Sequence, residues 1–292
     1  TVINGAGEFV LPVKVEQPIL GASVLGSLGG IVQGASGSII AVPPGALRGN
    51  VTVSIDAVAV ADLPAGMPDG MASAGAFRLE LGERKLDTPI QLAMPTTGLA
   101  AGTKVVFMRY AEIPTPEGTQ MPVWLQEVSG VVGEDGYART MSPPYAGISY
   151  SGVYTCGIAS ESFSTVRGRT YATFPVGIND GGSAFALLSS IGGGAAMGVA
   201  FGLTAGFYMT ALIGQRELQI IAVPAEGLPT RTTVGVEVNP GKVSDYRIQV
   251  VNPYSATTSA ATEPFIAEAR FELRNDGAGG VAPFVLIRGD RF

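Results

Sequence analysis

The chain has 292 residues, 46% hydrophobic and only 14% charged, with 41 glycines, 20 prolines and a net charge of −6. That composition is the opposite of a disordered chain, and the length allows two domains with a sizeable core. Four lysines without a basic cluster argue against nucleic acid as a partner. The absence of histidine removes the usual general base and the commonest metal ligand, so neither an enzyme, a cofactor nor a metal is expected.

Residues 1–25 read as an extended strand segment, "EFVLPVKVEQPIL", with Pro12 and Pro18 marking an edge. The chain opens Thr1-Val2 with no charged run leading into an apolar one, and the expectation is a processed, exported protein of the cell exterior or envelope. From about residue 26 to 157, short β-branched runs alternate with Gly/Pro turns, as in "SIIAVPPGALRGNVTVSI". This rhythm predicts a β-sandwich. Within it, Pro43-Pro44 end a strand, Gly45 permits a turn, and Ala46-Leu47 pack back on the sheet. "GEDG" at 133–136 reads as a hairpin turn, because further carboxylates at calcium spacing are missing. Trp124 reads as sandwich core, and Cys156 as a small apolar core residue. Residues 158–182 carry no strong period and read as a linker. After Arg216 the strand rhythm returns as a second small β-region, 215–292.

The region from Gly26 to Gly157 resembles a ZU5 domain. The matching residues are "GGIV" at 29–32, "SIIAVPPGAL" at 38–47, "VTVSI" at 51–55, "ASAGAFRLELGERKLDTPIQLAMP" at 72–95, "VWLQEV" at 123–128, "EDGYART" at 134–140 and "YSGVYTCG" at 150–157. The resemblance implies a β-sandwich used as a structural and interaction module. Some ZU5-containing proteins cleave themselves at a Phe-Ser bond just after this domain, with a histidine assisting. Phe163-Ser164 falls in that vicinity, but this chain has no histidine, so a plain strand or loop is the expectation there.

Between Gly181 and Gln215 lie 35 residues without a charge. Every fourth position from Ser190 is small: Ser190, Gly194, Gly198, Gly202, Gly206, Thr210 and Gly214. On a helix these would line one groove, allowing backbones to approach closely. Seven glycines in 192–214 would cost an isolated helix roughly 5 kcal/mol or more, so outside packing must return that energy. The groove would also wind by about 40° per step, which suits several crossing partners.

Four readings compete for this segment: the assembly helix of an extracellular polymer, a transmembrane span, a buried helix or hairpin, and a set of fully buried Gly-rich strands. The first is the expectation. It makes the fold mainly β, a ZU5-like sandwich plus a Gly-rich apolar helix or helical hairpin over 183–214 and the second β-region. The expected function is self-assembly, with copies of itself as partners and those seven residues as the contact. A membrane-embedded oligomer meeting lipid is the alternative. Arg288-Gly289-Asp290 reads as a turn, and the acid pairs Glu112/Glu117 and Asp62/Asp69 as loop residues.

Overall fold

The structure is a computed structural model that describes residues 2–3, 9–10, 19–82, 85–140, 147–159, 163–171, 182–188, 195–202, 206–225, 227–240, 242–250, 266–267, 269–275 and 281–287. These residues form strands and one 3-10 turn, Val60–Asp62, and no α-helix. The strands begin with β1 (Val2–Ile3), β2 (Phe9–Val10), β3 (Ile19–Leu20), β4 (Ser23–Leu25), β5 (Gly30–Gln33) and β6 (Ile39–Val42). Next come β7 (Val51–Val58), β8 (Met71–Glu80), β9 (Gln91–Pro95), β10 (Lys104–Pro114), β11 (Gln120–Val132), β12 (Tyr137–Thr140) and β13 (Gly152–Ala159). They are followed by β14 (Phe163–Tyr171), β15 (Ser183–Leu188), β16 (Ala196–Gly202), β17 (Gly206–Leu212), β18 (Gly214–Val223), β19 (Thr230–Val238) and β20 (Val243–Gln249). The last are β21 (Ile266–Ala267), β22 (Ala269–Asn275) and β23 (Val281–Ile287).

One long sheet runs in the order β3-β5-β6-β9-β12-β11-β10-β13-β8-β7-β4. Its two end strands, β3 and β4, are separated in sequence only by Gly21 and Ala22. Gly21 sits at φ 76° and donates its N–H to the Gln33 carbonyl at 2.8 Å. The chain thus passes from β5 on one side to β7 on the other, and the sheet nearly closes on itself. Its interior holds the first core, with Phe77, Leu79, Ile90, Phe107, Tyr154 and Cys156 all buried. The local expectations hold here. Gly45 turns the chain after β6 at φ 80°, and Ala46 and Leu47 return to the core. Residues 133–136 form the turn between β11 and β12, closed by Gly133 N–H donating to the Tyr137 carbonyl at 2.8 Å.

β11 is long enough to fork. Its C-terminal part pairs with β12, while Val123–Leu125 pair in parallel with β16. From that fork the sheet continues through β15, β18 and β19. A separate sheet, β17-β14-β20-β21, packs over it. Between the two layers lies the second core, which holds Trp124, Met197, Phe207, Met209, Leu218, Ile220 and Ile248. Alternation along β10 joins the cores: Val105 and Phe107 face the first, and Val106 and Met108 face the second.

The predicted helix over 183–214 is corrected. The described residues of that stretch form β15, β16, β17 and the start of β18. Their inward residues recur every second position: Ala184, Ala186 and Leu188, then Met197 and Val199, then Phe207, Met209 and Ala211. Neighbouring strands β11, β14 and β18 supply both hydrogen bonds and apolar cover. A glycine-rich helix would have had to recover its propensity cost from outside the chain, whereas these strands bury their apolar face within it. Of the four readings, Gly-rich strands come nearest, but the strands are half-buried rather than fully buried, since Ala200, Gly202, Gly206 and Tyr208 are exposed. No helix among the described residues is long and apolar enough to cross a membrane.

Candidate functional site

Of the seven small residues, the five that are described lie on three strands and do not line one helical groove. Ser190 and Gly194 lie outside the described residues. Gly198 and Gly202 are in β16, Gly206 and Thr210 in β17, and Gly214 opens β18. Gly198 is packed inside the sheet, where a Cβ would overlap the carbonyl oxygen of Ala186 in β15. Gly214 sits at φ 107°, a conformation that favours glycine.

The functional interest moves to the strand edges, where side chains stand in for missing strands. Among the described residues, β17 pairs only with β14. On its other edge, Gln126 of β11 donates its Nε2 to the Thr210 carbonyl at 2.6 Å and accepts the Thr210 N–H at 2.9 Å. The amide group thereby imitates the backbone of an adjacent strand. Among the described residues, β19 pairs only with β18. There the Tyr246 hydroxyl accepts the Glu237 N–H at 2.8 Å and donates to the Glu237 carbonyl at 3.0 Å. Ser244 Oγ donates to the same carbonyl at 2.9 Å. The sequence marks Gln126 weakly, as a polar residue inside the apolar run "VWLQEV", and gives no sign of what it meets.

A third tie crosses the sheet. Arg231 of β19 grips Glu117, in the turn between β10 and β11, through Nη1 and Nη2 at 2.9 and 3.1 Å. β19 stands four strands from β11 in pairing order, so the extended sheet curls to bring them together. Ile113, Val123, Leu125, Leu187 and Ile221 are buried on the face that this curl encloses.

Two of the clefts among the described residues lie on the first region. One, of about 430 Å³, is lined by Leu28, Ile31, Ala41, Val42, Pro43, Pro44 and the side of Gln91. It adjoins the seam where β3 and β4 close the sheet. Leu20, Val24 and Leu28, three large apolar side chains within nine residues of chain, are 75%, 66% and 86% exposed. The other cleft, of about 480 Å³, lies among Leu47, Val51, Leu86 and Lys85 and is bordered by the exposed Arg48–Asp87 ion pair. Near it, Arg109 pairs with Glu127 at 2.8 Å and stacks on the Tyr150 ring at 4.7 Å. Glu127 is the residue left over at a bulge in the β10–β11 ladder.

The remaining candidates separate. Glu112 accepts a hydrogen bond from Tyr110 at 2.8 Å, which raises the pKa of that phenol, while Glu117 faces Arg231. The two acids therefore have different partners. Asp62 ends the 3-10 turn, and Asp69 lines a small hollow with Met197 and Leu212. Among the described residues, no three His, Cys, Asp or Glu side chains gather to hold a metal. Cys156 is fully buried in the first core, and burial pushes its thiol up to about 12. Trp124 is buried in the second core and donates Nε1–H to the Gly66 carbonyl at 3.0 Å. Phe163 and Ser164 open β14, with Leu212 and Ala211 as their ladder partners. Arg288-Gly289-Asp290 lies outside the described residues. The chain matches no known family model and no curated protein.

Proposed function

We propose that this chain is a non-enzymatic, exported structural protein that associates with copies of itself. The ZU5-like body serves as the repeating module, in keeping with the interaction role that resemblance implies. The contact runs through strand edges and the seam, not through a glycine-lined helix. The observation that carries the reading is the apolar run at the seam, where Leu20, Val24 and Leu28 are solvent-facing within nine residues. Burying such side chains returns about 25 cal/mol per Å² removed from water, so a second copy gains by covering them. Low charge across the chain leaves little repulsion against close packing of copies.

The test is sedimentation velocity with electron microscopy on purified, detergent-free protein over a concentration series. Assembly that grows with concentration and weakens in a Leu20→Ser/Val24→Ser/Leu28→Ser variant is the expected outcome. Monodisperse monomers at every concentration would overturn self-association. Material dispersed only by detergent or lipid would favour the membrane-embedded alternative.

A further inference from the structure

The free edge of β19 is protected at both ends and open in the middle. Residues 230–238 alternate buried and outward without a register shift against β18. Glu237 bonds away from β18 to Tyr246, so every second residue counted back from it, Gly235, Thr233 and Arg231, also turns its N–H and C=O to the open edge. At the start of the edge stands Pro229, which has no N–H to offer. At its far end the Tyr246 hydroxyl already occupies both backbone groups of Glu237. Between these stops no described residue bonds the outward backbone groups of Thr233 and Gly235, and both residues are exposed. The window carries no proline, lysine or bulge of the kind that blunts an edge.

We infer that this window is an interface at which β19 of a second copy pairs antiparallel about a twofold axis through Thr233. The inference rests on the reading that the chain associates with its own copies, and it names the surface. In this register Arg231 faces Gly235 of the second copy, Thr233 faces Thr233, and Gly235 faces Arg231. Each of these rungs exchanges two hydrogen bonds. The next rung would set Glu237 against Pro229, which could complete only one of its two bonds. That is where Tyr246 supplies the partner instead, so the self-pairing uses the open groups and stops at the capped ones. The side chains agree. Threonine opposite threonine is a favourable cross-strand pair. A Cβ at Gly235 would meet only open space, so Gly235 sets no side chain against the Arg231–Glu117 ion pair of the copy it faces. Because the patch is the same on both copies, the contact closes as a dimer. A longer polymer would join such dimers through another surface, such as the seam.

The test compares native protein with Thr233→Pro and Gly235→Lys in sedimentation, with amide exchange read at two protein concentrations. Proline at 233 removes an outward N–H and leaves the β18 ladder whole, and lysine at 235 sets a cation against Arg231 of the other copy. Each variant should fold, as judged by circular dichroism, yet raise the dimer dissociation constant by about tenfold or more, since several hydrogen bonds are lost together. In the native protein the Thr233 and Gly235 amides should exchange more slowly as concentration rises. Thr233→Cys should yield a disulfide-linked dimer on mild oxidation, because paired Cα atoms in an antiparallel ladder lie within bridging distance. Native protein that assembles while both variants assemble equally well overturns the β19 interface alone. Native protein that is monomeric throughout overturns this interface and the self-association reading together. Assembly that persists without any cross-link in Thr233→Cys overturns the twofold register.

Discussion

The two cores of this molecule treat their edges differently. The first is wrapped by a sheet that nearly meets itself, with the short strands β3 and β4 handing the chain across the seam. Among the described residues its end strands, β3 and β4, pair on one side each and are only two and three residues long, and Leu20, Val24 and Leu28 are exposed there. The second core lies between two open layers. Two of its edge strands are finished by side chains, β17 by Gln126 and β19 by Tyr246 with Ser244, and part of β19 bonds no described residue. A closed sheet abolishes edges, whereas an open one must cap them or pair them with another chain. Under the proposed self-association, the difference assigns backbone-mediated contact to the second region and side-chain-mediated contact to the first.

The largest expected effect tests whether the two regions are one cooperative unit. Phe107 is fully buried in the first core, on the same strand whose next residue, Met108, is in the second. Phe107→Ala should cost about 3–5 kcal/mol. The chain has a single tryptophan, Trp124, buried in the second core, so its fluorescence reports that region alone. If β10 couples the cores, the fluorescence midpoint in urea should fall together with the far-ultraviolet midpoint. A fluorescence midpoint that stays put while the other falls would show two independent units.

Much of the first region was legible in the sequence, because its strands are half-buried and its turns use residues of narrow conformational meaning. The Pro43-Pro44-Gly45 stop and the Gly133–Gly136 turn both follow from local chemistry, and both are present. The second region was misread for a physical reason. Glycine at every fourth position matches a helix face, but the same spacing fits strands whose turns and tight contacts happen to need glycine. Gly198 is small because it meets the Ala186 carbonyl, and Gly214 because of its positive φ. The signal that would have corrected the reading lies at 206–212, where Phe207, Met209 and Ala211 alternate with Gly206, Tyr208 and Thr210. The edge caps were out of reach of any local reading, since Gln126 meets a backbone 84 residues away.

A middling effect separates the two caps. Gln126→Ala strips both a donor and an acceptor from Thr210 in a half-buried setting and should cost about 1–3 kcal/mol. Tyr246→Phe removes a hydroxyl that bridges an exposed residue and should cost about 0.5–1.5 kcal/mol. Amide exchange gives the sharper contrast, as the Thr210 amide should speed up only in the first variant and the Glu237 amide only in the second. Equal acceleration at both sites in either variant would mean that the edges open together, contrary to separate capping.

The smallest effect concerns the two turns at the ends of β11. At one end Asp135 is held to about 2, chiefly by its hydrogen bonds to Arg139 four residues on, and the Tyr137 N–H adds to this. At the other, Glu117 is held below its ordinary value, first by its own backbone N–H, then by Thr115, with Arg231 from 114 positions away contributing less. Both carboxylates are depressed by folding. The stability each contributes is therefore fully present above the ordinary carboxylate pKa near about 4 and is lost as pH falls through the folded value. For Asp135 that window runs from about 4 down to about 2. Both groups are solvent-facing, so screening keeps the contribution small, and added salt should shrink it further. Asp135→Asn should flatten the acid limb of the urea midpoint across that window, and Glu117→Gln should flatten it less. The second substitution touches more than a turn, however, because Glu117 is the residue that the curled sheet closes on. If Glu117→Gln instead gives the larger change, the Arg231 grip across the sheet outweighs the local pair, and the curl around Ile113 and Ile221 depends on charge as well as on burial.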